Sequence, residues 1–172
     1  MSEDSSHFYV DLHCHPNIRS YNSGHPSPNA TIWDNVPSLT EEQMQEKGPF
    51  ANFVFRNTGG IHKESQSNLY NLAKGNVRVV FVSLYPIEQG FLDLRKIPYL
   101  FTKRHRHPEI YEVIFGCAYE RINAIMDNPI DYWTELKNEY QFIQEGQGYS
   151  PDGNYRYKIV NSYRELADLL EE

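Results

Sequence analysis

Two histidines stand one residue apart near the amino terminus. His13 and His15 lie in the run Phe8-Tyr9-Val10-Asp11-Leu12-His13-Cys14-His15-Pro16. Side chains alternate along a strand, so residues i and i+2 project to the same side. Two imidazoles leaving one side of a strand end can reach a single divalent ion, and neutral imidazole suits Zn, Fe, Ni or Mn-type ions. His13 and His15 are therefore the candidate metal ligands, with zinc the first expectation. Their role would be to hold the ion rather than to move protons. A bare His-x-His is a weak signal, but here the context strengthens it. Asp11 lies two positions before the pair, and Pro16 directly after it cannot continue a ladder and steers His15 away from helical geometry. In parallel α/β folds, chemistry gathers at the carboxyl ends of the strands.

Other residues invite plainer accounts. His105-Arg106-His107 repeats the spacing inside Lys103-Arg104-His105-Arg106-His107, where three cations would repel a divalent ion. A solvated basic loop is expected there. His25 and His62 lie in or beside loops and are the candidates for a distant third ligand. Cys14 should point away from the two ligands into packing, and Cys117 should lie on an apolar helix face. Both read as structural thiols. Gly59-Gly60 lacks the strand-before, helix-after setting of a phosphate loop. Trp33 and Trp133 are expected in the core. No catalytic acid or base and no substrate-binding residue is assigned.

The elements that must position the pair follow from patterning. Phe8 to Leu12 is a short apolar run that predicts a buried strand. Residues 16–60 are rich in Pro, Gly, Asn and Ser and read as an unusually long loop. A helix is expected over Ser65 to Lys74, with Leu69, Leu72 and Ala73 inside and Gly75 closing it in left-handed geometry. Val77 to Tyr85 is the strongest strand, its Val79-Val80-Phe81-Val82 run typical of a strand covered on both faces. Strand, helix and strand make a βαβ unit. Ile110 to Met126 has apolar positions at helical spacing. A following helix is predicted with Asn128 as N-cap, Pro129 at its first position, and Ile130, Trp133, Leu136, Tyr140 and Ile143 inside. Tyr155 to Val160 is a candidate short strand. Ser162-Tyr163-Arg164-Glu165 matches a capping box that opens a last helix with Tyr163, Leu166, Ala167 and Leu170 inside.

The 172 residues read as one α/β domain, 1–172, with 40% hydrophobic residues, 13 Tyr and 9 Phe. Such an aromatic load argues for a folded chain. A net charge of −7 argues against broad attraction to nucleic acid or an anionic membrane. No run approaches the roughly 18 apolar residues that cross a bilayer. Two cysteines, no CxxC pair and a polar start give a cytoplasmic expectation.

The Phe8–Pro16 block resembles the first strand of the amidohydrolase-type metal-dependent hydrolases, and more closely the membrane-dipeptidase branch, peptidase family M19. Val79 to Phe91, with Ser83-Leu84-Tyr85-Pro86 and Gly90-Phe91, is similar to that branch's second barrel strand and following loop. Tyr163-Arg164-Glu165-Leu166 resembles the helix before its third strand. The resemblance implies the N-terminal part of a TIM-like (β/α)8 barrel, incomplete in this chain, since a whole barrel takes about 250 residues. It implies hydrolysis of an amide or peptide bond in a small-molecule or dipeptide-like substrate by metal-activated water. The dipeptidases usually carry Asp at the second ligand position, where this chain has His15, as in the wider superfamily. The family's bridging Glu, in a Glu-Gly-Gly-type stretch, and its later His and Asp ligands have no counterparts here. Weak metal binding without turnover by this chain alone is the expectation.

Two alternatives stand beside it. A PHP-type phosphoesterase also opens with a strand and Asp-Leu-His-x-His, but the Ser-Asp-Gly it tends to carry downstream is missing from Asn17-Ile18-Arg19-Ser20-Tyr21. A non-catalytic module that binds a protein partner would keep the βα scaffold. Its unpaired strand edges predict exposed apolar surface and homo-oligomerisation, or a missing C-terminal barrel portion that covers them.

Overall fold

A computed structural model of the chain describes residues 7–22, 29–36, 49, 67–92 and 117–171. Strand β1, Tyr9–Cys14, runs into a short helix α1, Ile18–Tyr21. Helix α2, Leu69–Lys74, leads to strand β2, Val77–Val82, which pairs with β1 in parallel. This is the expected βαβ unit. Its helix starts where Asn68 turns its side-chain oxygen to the Asn71 N–H at 2.7 Å, leaving Leu69 buried. The helix ends differently from expectation. Gly75 has φ −77°, and Asn76 takes the left-handed conformation at φ 58°. Asn is the side chain that tolerates this geometry best after Gly. Its carbonyl then receives the Tyr9 N–H at 2.9 Å, tying the turn to the start of β1.

Helix α3, Gln89–Leu92, follows β2, and helices α4, Tyr119–Asp127, and α5, Tyr132–Glu145, come after it. The part of the Ile110–Met126 helix before residue 117 lies outside the described residues. Helix α5 begins later than its sequence suggests. Asp131, not Asn128, is the cap, accepting from the Trp133 N–H at 3.1 Å and the Thr134 hydroxyl at 2.6 Å. A carboxylate held by two donors outcompetes the proline signal two residues upstream. Strands β3, Gly148–Tyr149, and β4, Arg156–Tyr157, form a two-residue antiparallel hairpin, shorter than the predicted Tyr155–Val160. Helix α6, Tyr163–Glu171, closes the described chain. Ser162 caps it through the Glu165 N–H at 3.2 Å, while Glu165 reaches back to the Asn161 N–H at 2.9 Å, one residue earlier than a standard box. Tyr163 is exposed and none of this helix is fully buried, so the expected inner face is only half covered.

Two apolar clusters form the core. One gathers Ile87, Leu92, Cys117, Ile122 and Ile125. The other gathers Ile32, Trp33, Leu69 and Ile143, with Val82, Leu84 and Tyr157 against it. Gly146 ends α5 against this second cluster. A Cβ there would meet the Ile32 Cγ2 at 2.6 Å, so the residue must be glycine for the helix end to sit this close. Trp33 is in the core as expected, whereas Trp133 is 65% exposed. The body of the parallel sheet is not covered on both faces. Leu12 is 73% exposed and Phe81 58%, and Tyr9 and Val10 are also open to solvent. The described residues therefore make a mixed α/β arrangement of two small sheets and helices, not a closed barrel. Among them no helix is long and apolar enough to cross a membrane.

Candidate metal centre

His13 lies in the last turn of the β1 ladder and His15 just beyond it. The ladder is irregular here. Asp11 pairs with Val80 and Cys14 with Val82, so three residues of β1 span two of β2. The Asp11 carboxylate fills the irregular stretch by accepting the His13 backbone N–H at 2.9 Å. Cys14 turns the other way, as alternation requires. It is buried, with its Sγ 3.7 Å from the Ser67 carbonyl. Burial, reinforced by the Asp11 charge, pushes the Cys14 thiol above its ordinary range and keeps it unreactive.

The two imidazoles meet edge to face, ring centres 4.9 Å apart and planes at 87°. Two imidazoles on one zinc ion, at about 2.0–2.1 Å per bond, stand with ring centres roughly 5 Å apart. The 4.9 Å separation of the ring centres matches that figure. One residue orients both rings. The backbone carbonyl of Ser83 lies 2.8 Å from His15 Nδ1, and the Ser83 hydroxyl lies 2.8 Å from His13 Nδ1. A carbonyl only accepts, so His15 carries its proton on Nδ1, and its Nε2 lone pair is left for a ligand. Tyr85 packs edge-on against His15, ring centres 5.8 Å apart.

Ser83 occupies this place because β2 ends just before it. Its N–H donates to the Cys14 carbonyl at 2.8 Å, the last rung between the two strands. The two strand-end segments share a buried carboxylate. Glu139 on α5, only 1% exposed, accepts from Asn17 Nδ2 at 2.6 Å and from the Tyr85 N–H at 2.8 Å. Asn17 is two residues past His15, and Tyr85 two residues past Ser83.

The structure thus brings His13 and His15 together and adds Ser83 and Glu139, which the His-x-His pattern does not reveal. A signal for Glu139 exists. It falls between Leu136 and Ile143 at helical spacing, so it shares the inner side of α5, where an unpaired carboxylate would be costly. Among the described residues, no group of three or more His, Cys, Asp or Glu could hold a metal ion together. His25, His62, His105, His107 and Gly59-Gly60 lie outside the described residues. Two imidazoles are one ligand short of the three protein ligands a catalytic zinc usually has.

No protein-family model matches the chain, and no curated protein or solved structure matches it.

Proposed function

We infer that His13 and His15 form half of a divalent-metal site, most simply for zinc, of the kind that opens the active site of amidohydrolase or M19-like metal-dependent hydrolases. On this view the βαβ unit is the N-terminal portion of a TIM-like barrel. The supporting observation is the closeness of the two rings together with the fixed tautomer of His15. His15 presents Nε2 because Nδ1–H is given to the Ser83 carbonyl, and the His13 ring stands 4.9 Å away. When bound, such an ion would polarise an amide carbonyl and activate water toward it. The residues themselves hold and orient: Ser83 sets the rings, Asp11 sets the backbone under His13, and Cys14 packs behind. Two imidazoles would bind the ion weakly, and no turnover of a dipeptide or phosphoester is expected from this chain alone.

Metal analysis and zinc titration of the purified protein test this. Detectable binding by the wild type, lost in His13→Ala and His15→Ala, is the expected result. Binding that survives both substitutions would place the metal elsewhere, and no binding at millimolar zinc would remove the hydrolase reading.

The exposed apolar body of the sheet favours a second reading, a non-catalytic module whose β1–β2 surface is covered by a protein partner or by a second copy. Exposed Tyr9, Val10, Leu12 and Phe81 are the specific observation behind it.

A further inference from the structure

Among the described residues, Glu139 is the buried carboxylate, and its hydrogen bonds go to the two segments that carry the histidine corner. It reaches out of α5 to the loop after β1, through Asn17, and to the loop after β2, through the Tyr85 backbone. Asn17 is two residues beyond His15, and Tyr85 is two residues beyond Ser83 and packs its own ring edge-on against His15. A carboxylate buried to 1% exposure without a cation beside it is costly unless donors compensate. Here a side-chain amide and a backbone N–H supply them.

We propose that Glu139 is a positioning residue for the His13–His15 corner, holding the two strand-end loops in the register that lets His15 Nδ1–H reach the Ser83 carbonyl. The proposal rests on the corner being a metal half-site only for its consequence in metal affinity. The imidazole geometry itself is observable without any ion. Glu139 touches neither histidine and takes no proton in this role.

The buried amide of Asn17 makes a conservative rescue available. Its Oδ1 has no hydrogen-bond partner among the described residues, although the side chain is fully buried. In Glu139→Gln the new carboxamide still accepts the Tyr85 N–H. Once the Asn17 amide turns over, the Gln N–H can donate to Asn17 Oδ1, so both links survive without the charge. Glu139→Ala breaks both.

The experiment reads nitrogen-15 shifts and exchange of the His15 ring at a pH where imidazoles are neutral, and in parallel titrates cobalt(II) by its visible absorption. Wild type and Glu139→Gln should show His15 as a single Nδ1–H tautomer with slowed exchange. Glu139→Ala should show an averaged tautomer and fast exchange, with cobalt affinity down about 10–100-fold, the range for losing a residue that orients a metal-bound His. An unchanged His15 signature in folded Glu139→Ala would overturn the proposal. So would a Glu139→Gln protein as impaired as Glu139→Ala, because charge and not position would then be at work. If Glu139→Ala does not fold, Asn17→Ala carries the test. It cuts the tie to the first loop, and a His15 signature unaltered in it overturns the proposal equally. A wild type that binds no cobalt, with the tautomer still lost in the Ala variant, would uphold the positioning role and sink the metal half-site instead.

Discussion

The parallel sheet has two unlike ends. Along its body, Tyr9, Val10, Leu12 and Phe81 stand open to solvent. At its carboxyl end, Cys14, Pro16, Asn17, Ile87 and Glu139 are buried, and the chain is crossed by hydrogen bonds from α5 and between the two loops. The same two strands thus change from uncovered to enclosed within about one turn of the ladder. The enclosure follows the polar network and the two apolar clusters, not the hydrophobicity of the strand residues. Along β2, Val79, Val80 and Val82 are half-buried, and Val82 packs on the second cluster, while β1 from Tyr9 to His13 gains little cover.

That contrast can be broken at graded cost. The largest effect is expected in the enclosed region. Ile122 is fully buried among Ile87, Leu92, Cys117 and Ile125, so Ile122→Ala should cost about 2–5 kcal/mol of unfolding free energy, read by urea denaturation. Gly146→Ala comes next. Its new methyl would press on Ile32, which is itself fully buried and has little room to yield, at an expected cost of about 1–3 kcal/mol.

The enclosed region should also fail first in alkali. Burial pushes the Tyr21 hydroxyl up to about 12, with the Glu135 charge adding to it, and burial likewise raises Tyr157 to about 12, with Tyr140 adding. Both phenols ionise more readily once unfolded, near the ordinary value of 10. Their contribution is complete below pH 10 and is lost as pH rises from there toward 12. Urea midpoints measured across that window should fall, and Tyr21→Phe should flatten part of the fall.

The smallest effect belongs to the open body of the sheet. Leu12→Ser should shift stability by no more than about 0.5 kcal/mol, because the side chain is mostly in water already. Sedimentation of the same variant sharpens the second functional reading. If the β1–β2 surface is covered by a second copy, Leu12→Ser should weaken self-association, and a wild type that is monomeric at high concentration removes that form of it.

Much of the local structure was legible in the sequence. The βαβ unit follows from an apolar run, a short helical pattern and a β-branched run, and its parallel pairing is as expected. The helix over Tyr163–Glu171 was legible from its capping residues. Strand alternation also sufficed to put His13 and His15 on one side and Cys14 on the other. What misled was local competition. Asn76 replaced Gly75 as the left-handed residue, and Asp131 displaced Asn128 as the cap, because the choice depends on which backbone donors and acceptors find partners. Ser83 and Glu139 were illegible as site residues for a different reason. They lie 68 and 124 positions from His15, and only the fold brings them to the corner.

The sequence by itself determined the pair of imidazoles, their common side of the strand and the scaffold that ends beneath them, because these depend on spacing and on contacts within a few residues. Only the tertiary structure decided which nitrogen of His15 is free, which residue touches both rings and which carboxylate ties the two strand-end loops. It also decided that Tyr9, Val10, Leu12 and Phe81 stay exposed. Burial is a property of what packs against a residue, and no period or propensity within Val79 to Val82 can say whether anything does.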